Sequence, residues 1–392
     1  MKNPSSCSPL ATGVPKAHFP RLTLRAGHKR HAAALFPSTK ERLLSDLLRP
    51  QLNRRSFLRQ TIGFSALAAF SPATLFAQQG GNDSPAPDPA NQHLLMIGDW
   101  GTNKYLGQQI AVASGMKNFV DNRKIKPGAL FMLGDNFYGS LIGGVDSPRW
   151  QTQFEQMYPT SHFPGKAYAV LGNHDYEFKI AFKVDTELAY AAHAQGTRWT
   201  MPAPWYTFKF PENDPIITFI CLDTNLPGTK GDFFGTGITM TKAHRDEQDA
   251  WLRAELAKPR TTPFLAMVGH HPLYTNGIHK DNPILIKDWD PLLRQYKVDF
   301  YITGHDHDLQ HLEFGGHPTS FVISGGGGAE LVDWTTPPEK RGPFGGKVLG
   351  FTNMELNKNA VIMRHYNQAG QELHSFRKTP DGKVELLRPA VS

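Results

Sequence analysis

Residues 131–140 read FMLGDNFYGS. An apolar run, Phe131 to Leu133, stops at Gly134-Asp135, and Tyr138 follows three positions after the carboxylate. A short apolar run closed by turn residues fits a strand buried on both faces better than a helix, which would need a longer periodic pattern. The chain therefore places a carboxylate and a phenol together at the end of a buried strand.

The same pattern recurs on both sides. HLLMIG ends in Asp99, KAYAVLG in Asn173 and His174, ITFICL in Asp223, PFLAMVG in His270 and His271, DFYITG in His305, and TSFVIS in Gly325 to Gly328. Between these runs, residues 105–122, 148–158, 178–194, 242–257 and 281–297 carry helical spacing. In HRDEQDAWLRAEL (244–256), Trp251, Leu252 and Leu256 form one stripe, and Pro259 lies just past the expected helix end. Strands alternating with helices predict an α/β domain from about Asn91 to the end. Residues 204–222 and 319–363 read as hairpin-like β, so a purely parallel sheet is not expected.

The net charge of +7 invites a nucleic-acid reading. Its distribution removes that reading. Residues 1–60 hold twelve Lys/Arg against Glu41 and Asp46, a net of +10, and residues 61–77 hold no charge, so subtraction leaves −3 for the rest. The basic segment reads as a leader. NRRSFLRQ (53–60) sets a twin arginine before Ser-Phe-Leu-Arg, and an uncharged run follows to Ala77, broken by Gly63 and Pro72. That run is too short and broken for a membrane helix, so no stable membrane anchor is expected. The segment 1–77 resembles a bacterial twin-arginine export signal, with Asn53 where Ser or Thr is usual. It implies passage through the twin-arginine translocase, cleavage near Ala77, and a periplasmic or extracellular destination. Residues 1–50 have no periodic pattern and exceed what a leader needs; they are expected to reflect a start placed too early, although Met1 is the only methionine before Met96. QQGGNDSPAPDPA (78–90) reads as a disordered linker, leaving 91–392 as the ordered domain. Cys7 falls in the leader, so Cys221 is the one thiol expected in the mature chain, buried and inert.

Five strand-end motifs carry metal-binding side chains: GDWG (98–101), GDNFY (134–138), GNHD (172–175), VGHHP (268–272) and GHDHD (304–308). Singly each has an ordinary reading, such as a helix cap or a turn. Together, each beside a glycine that lets backbone pass close, they point to one compact metal centre at the strand ends of an α/β sheet. Asp99, Asp135, Tyr138, Asn173, His270, His305 and His307 are seven donors. One zinc takes four, whereas seven donors including a bridging carboxylate suit two metals about 3.5–4 Å apart. His305 and His307, read as alternating along extended backbone, are expected to reach different metals. Tyr138 needs a strongly polarising cation to ionise, because a free phenol has a pKa near 10. A hard trivalent ion matches the three anionic groups Asp99, Asp135 and Tyr138, and a divalent ion suits Asn173, His270 and His305.

GDWG, GDNFY, GNHD, GHHP and GHDH, in this order, resemble the metallophosphoesterase signature of the purple acid phosphatases, with the closer match to the small tartrate-resistant mammalian type. The resemblance spans roughly residues 92–370 and includes RWTMPAPWYTFKF (198–210), QDAWLRAEL (248–256) and VISGGGG (322–328). It implies an α/β sandwich with central β-sheets flanked by helices. It further implies Fe(III) held by Asp99, Asp135, Tyr138 and His307, and a divalent Fe(II), Zn(II) or Mn(II) held by Asp135, Asn173, His270 and His305. His174 and His279 match the family's two substrate-facing histidines, with Asn173 also contacting substrate. Met267 replaces the family's usual Val, and the mammalian cysteine pair is absent.

The implied activity is acid hydrolysis of small phosphate monoesters by attack of a metal-bound hydroxide, with His174 and His279 binding phosphate or protonating the leaving group. A monomer is expected, without a nucleic-acid partner. The alternatives are a phosphodiesterase or nucleotidase on the same fold, disfavoured by Tyr138, and a peroxidase-like iron-redox role. Trp100, Asn136, Phe137, Tyr274 and the 139–147 loop are expected to line the approach, with His271 on its rim and His311 and His317 structural.

Overall fold

A computed structural model describes residues 84–177, 183–193, 197–228 and 239–388. The leader with its twin arginine, Cys7, residues 78–83 and residues 229–238 of the loop between Asp223 and Gln248 lie outside the described residues.

Two mixed sheets form the domain. The first has eight strands and the second seven. In the first sheet β1 (Gln92–Ile97), β2 (Ala129–Met132), β3 (Lys166–Ala169) and β4 (Trp199–Thr200) run parallel. An antiparallel meander, β12 (Gly350–Asn357), β13 (Ala360–Asn367), β14 (Glu372–Lys378) and β15 (Val384–Arg388), continues from β1. In the second sheet β6 (Ile217–Cys221), β7 (Phe264–Val268), β8 (Phe300–Thr303) and β10 (Ser320–Ser324) are parallel, with β5 (Tyr206–Phe210) antiparallel to β6, and β9 (Leu309–Leu312) antiparallel to both β10 and β11 (Phe344–Gly346). The hairpin character expected over 204–222 and within 319–363 is the β5–β6 and β12–β13 pairing.

Successive side chains on a strand point to opposite faces, and the second sheet uses both. Phe219, Ala266, Phe300, Ile302 and Val322 enter the core shared with Met96, Phe131 and Met354 of the first sheet. Their neighbours Ile220, Met267, Tyr301, Phe321 and Ile323 face a second core with Leu252, Leu256, Leu285, Trp289 and Leu293. The latter residues belong to helices Lys242–Leu256 and Pro283–Gln295, each capped at its start by a side-chain oxygen, Thr241 and Asn282 respectively. Helix Leu106–Arg123 packs against the first sheet near β12. The parallel strands β2 and β8 are buried at every position and almost wholly apolar because both faces are covered.

Of the helices expected, 148–158 is realised as a π-helical stretch, Trp150–Glu155. The segment expected as a linker is tethered in its described part. Pro85 O accepts from Arg364 Nη2 at 3.0 Å, Asp88 O from His93 Nε2 at 2.8 Å, and Ser84 Oγ accepts from Ser375 Oγ at 3.0 Å. Cys221 is buried, and burial pushes its thiol up, away from the reactive thiolate. Among the described residues no helix is long and apolar enough to cross a membrane.

Candidate metal centre

The parallel strands of both sheets finish at one edge, and their terminal glycines let the chains nearly touch. A Cβ on Gly304 would lie 2.6 Å from Asp99 Oδ2, and one on Gly172 would lie 2.2 Å from Asp135 N. Asp99, Asp135 and His305 each follow a glycine and each adopt left-handed backbone, with φ of 59°, 50° and 72°. Three non-glycine residues in that region at one place mark strain held by the surrounding structure, of about 1–3 kcal/mol each. The turn aims each side chain back over the sheet edge.

All seven expected donors converge, in two groups. Tyr138 Oη lies 3.3 Å from Asp99 Oδ1 and 3.1 Å from His307 Nε2, and His307 Nε2 is 3.5 Å from Asp99 Oδ1. Donor atoms of Asp99, Asp135 and His307 all fall within 4.8 Å of one another. In the second group Asn173 Oδ1 lies 3.1 Å from His270 Nε2 and 3.0 Å from His305 Nδ1, and the two ring nitrogens are 3.2 Å apart. Asp135 joins the groups, with Oδ1 at 3.4 Å from His270 Nε2. His305 and His307 diverge as expected, for a reason other than strand alternation. Residues two apart on a regular strand share a face; the left-handed turn at His305 separates the rings.

The ring tautomers are set by outer partners. His270 Nδ1 meets Leu133 O at 2.8 Å and His307 Nδ1 meets Glu330 O at 2.6 Å, so both present Nε2 to the centre. Burial opposes a charged ring at His270, yet Asp135 and Asp99 outweigh it and raise its pKa to about 10. His307 is likewise raised to about 9 against burial, by Asp99. Burial, Asp135 and Asp99 push the Tyr138 phenol well above its ordinary value. Burial would raise Asp135, but His270 and His174 hold it well below the carboxylate range. His305, buried among His279, His271 and His270, is pushed well down.

The loop bearing Asp135 and Tyr138 is gripped at nearly every peptide by buried charges that sequence reading missed. Asp175 accepts from Asn136 N at 3.1 Å, Phe137 N at 3.0 Å and Gly172 N at 2.8 Å. Lys183 donates to Phe137 O at 2.6 Å and to His174 O. Arg149 donates to Tyr138 O at 3.0 Å, Ser140 O at 2.9 Å and Gly101 O at 2.7 Å. Glu187 accepts from Asn136 Nδ2 at 2.9 Å.

His174 and His279 flank the centre. His174 Nδ1 pairs with Glu177, and its Nε2 is 3.9 Å from Asp135 Oδ2. Burial favours its neutral form, but Asp135 and Glu177 raise its pKa overall. His279 Nδ1 is held at 2.7 Å by the buried Asp306, whose other oxygen accepts from Thr275. Both rings line a cavity of about 670 Å³ that also reaches Asp135, Tyr138, Asn173, His305 and His307.

Two expectations fail. Trp100, Asn136 and Phe137 do not line the approach; all are 0% exposed, with Trp100 and Phe137 in an aromatic cluster with Trp150 and Phe154. Tyr274 packs on Phe314 and Phe321, and of the 139–147 loop the cavity wall includes Gly139. His271 is not a rim residue: it is buried, bonded through Nδ1 to Thr224 Oγ1 at 2.7 Å.

The calcineurin-like phosphoesterase family model matches residues 93–309, more than half the chain. The chain belongs to the calcineurin-like phosphoesterase family. It is a phosphate-ester hydrolase working at a metal site. Among similar proteins, tartrate-resistant acid phosphatase type 5 of Sus scrofa is 30% identical over 317 residues, covering 74% of this chain and 88% of that protein. Purple acid phosphatase 4 of Arabidopsis thaliana is 27% identical over 305 residues, covering 74% and 85%. In structure the chain resembles GAP50, described as the anchor in the inner membrane complex of Plasmodium, with TM-score 0.61, 22% identity and coverage of 73% and 87%. It also resembles a purple acid phosphatase from yellow lupin seeds, with TM-score 0.56, 19% identity and coverage of 76% and 55%. At such identities these two likenesses establish the fold.

A pair of cations fits this phosphoesterase's residues. With His270 Nδ1 turned to Leu133 O, a neutral ring points a lone pair at the oxygens of Asn173 and Asp135. Facing lone pairs repel unless a proton or a cation lies between them. Ligands at about 2.1 Å from one ion are spaced roughly 3.0–3.4 Å apart, the spacing found in both groups.

Proposed function

We propose that the chain is an acid phosphatase of the purple type, hydrolysing phosphate monoesters with Fe(III) at Asp99, Asp135, Tyr138 and His307 and a divalent ion at Asp135, Asn173, His270 and His305. The observation that carries this reading is Tyr138. Its hydroxyl sits between Asp99 and His307, where burial, Asp135 and Asp99 oppose ionisation. A phenol placed there serves a strongly polarising ion. Iron bound to it would supply Lewis acidity and a hydrolytic water of lowered pKa.

The protein's own groups supply the rest. His174, oriented by the pairing of its Nδ1 with Glu177, holds a phosphate oxygen, and an imidazole suits that task at mildly acid pH. Asp306 fixes His279 Nδ1 as the inner nitrogen, so Nε2 is left to meet the ester oxygen and give it a proton as the alcohol departs. Asn173 orients substrate beside them. Export through the twin-arginine route to the periplasm or beyond belongs to the same proposal, since that route carries folded, metal-loaded chains.

The test is a visible spectrum of the iron-loaded protein together with phosphate release from a monoester at pH 5. A purple tyrosinate band abolished in Tyr138→Phe supports the reading. A colourless iron-loaded protein that cleaves diesters in preference to monoesters overturns it.

A further inference from the structure

The cavity extends past the metal cradle. Its outer arm runs between the loop Thr102–Tyr105, Ile278 and the segment Ala329–Asp333, none of which belongs to a strand-end motif. Three features define this arm. Beside the polar loop Thr102–Tyr105, one wall presents apolar surface: Ile278 is 39% exposed, and Leu331 and Val332 are part-exposed. The charges around that surface are matched to one another. Glu330 pairs with Lys104 at 3.7 Å and accepts from the Tyr105 hydroxyl, while Asp333 pairs with Lys347. The arm is also tied to the cradle, because Ala329 N donates to Asp99 O at 2.9 Å and Glu330 O holds His307 Nδ1 at 2.6 Å.

We propose that this arm is the leaving-group subsite and that it selects esters of apolar alcohols over those of polyols, sugars or groups bearing a second phosphate. The inference rests on the monoester reading above. A phosphate held over the cradle must point its ester oxygen away from the metals, and the arm is the continuation of the cavity in which the alcohol can lie. A polyol there would exchange hydration for contact with Ile278, Leu331 and Val332, and would lose hydrogen bonds that this wall does not return. A second anionic group would find Lys104 and Lys347 already paired with Glu330 and Asp333. An alkyl or aryl body gains about four-fold for each methylene removed from water.

The test compares n-hexyl phosphate with glycerol 3-phosphate on the metal-loaded enzyme. Both are primary alkyl esters, so the bond broken is the same and any intrinsic leaving-group advantage lies with glycerol. The expected kcat/KM is at least about ten-fold higher for the hexyl ester, two buried methylenes sufficing. It should rise stepwise along ethyl, butyl and hexyl phosphate in the native enzyme, a series that needs no variant. The part-exposed pair Leu331→Asn and Val332→Asn, or Ile278→Asn alone, should bring the hexyl-to-glycerol ratio down toward one. Equal kcat/KM along the series, or a ratio unmoved by the substitutions, overturns the subsite. Absence of phosphate release from every ester, with two metals bound, would instead overturn the function on which it rests.

Discussion

Asp175 and Glu187 lie beneath the cradle, both fully buried and both linked to Asn136, yet their amide substitutions should behave very differently. Burial and the charge of Asp175 push the Glu187 carboxyl well above its ordinary value, toward the neutral acid. Burial raises Asp175 too, but the N–H groups of Gly172 and Phe137 and the Lys183 ammonium favour its charged form. In Asp175→Asn, an NH₂ at the Oδ1 position meets Phe137 N–H; at the Oδ2 position it meets Gly172 N–H and Asn136 N–H. Even the milder orientation leaves one backbone donor and one amide donor without acceptors. Each such buried group costs about 1–3 kcal/mol, so the loss is about 2–6 kcal/mol. Glu187→Gln keeps an oxygen for Asn136 Nδ2 and a donor for Asp175, and should cost less than about 1 kcal/mol. Urea unfolding of the metal-free protein at pH 7 reads both through the midpoint at constant slope. The reasoning is refuted if Glu187→Gln destabilises as much as Asp175→Asn, or if Asp175→Asn shifts stability by less than about 0.5 kcal/mol.

Three further outcomes are expected. His311, His365 and His374 are buried between the sheets, and burial pushes all three down, His374 to about 2. Their folded pKa values lie below the unfolded value, so the stability they contribute is present above about pH 6.5 and lost below it, at up to about 4 kcal/mol per pH unit for three protons. His374→Phe should remove about a third of that slope in urea unfolding of the metal-free protein at pH 7, 6 and 5. Gly134→Ala places a Cβ 2.5 Å from His270 Nδ1 at a backbone φ of +88°, so the ring must leave Leu133 O. A loss of about 2–3 kcal/mol, from left-handed backbone and one hydrogen bond, should accompany loss of one metal per chain, read by elemental analysis after gel filtration. Arg149→Lys cannot span the carbonyls of Gly101, Tyr138 and Ser140, because an ammonium lacks the planar fork; the tyrosinate band should weaken or shift while iron content holds.

The cradle was legible in the sequence because its physics is local. A buried strand that must turn sharply needs glycine, and the polar residue after it has few reasons to be there except chemistry. Gly98-Asp99, Gly134-Asp135 and Gly304-His305 declared themselves in this way, as did the alternation that made the sheets. What surrounds the cradle was not legible. Lys183 and Glu187 sit one turn apart on a helix whose composition reads as an ordinary amphipathic surface, and their burial depends on where that helix docks. Asp306 could have been found, since a carboxylate between two ligand histidines must turn to a different partner, and that partner is His279. Proximity in sequence misled at Trp100, Asn136 and Phe137, which adjoin ligands but turn inward into the aromatic cluster or the Asp175 network. The outer wall, Ile278 with Leu331 and Val332, carries no motif because apolar residues on loops announce nothing until the fold brings them to one cleft.

The central claim is that two cations share the cradle, and anomalous scattering from crystals of the metal-loaded protein tests it most directly. The account predicts two peaks about 3.5–4 Å apart, one among Asp99, Tyr138 and His307, the other among Asn173, His270 and His305, with Asp135 between them. A single peak at saturating metal, or a pair in which Tyr138 or His307 turns away from both, would contradict it.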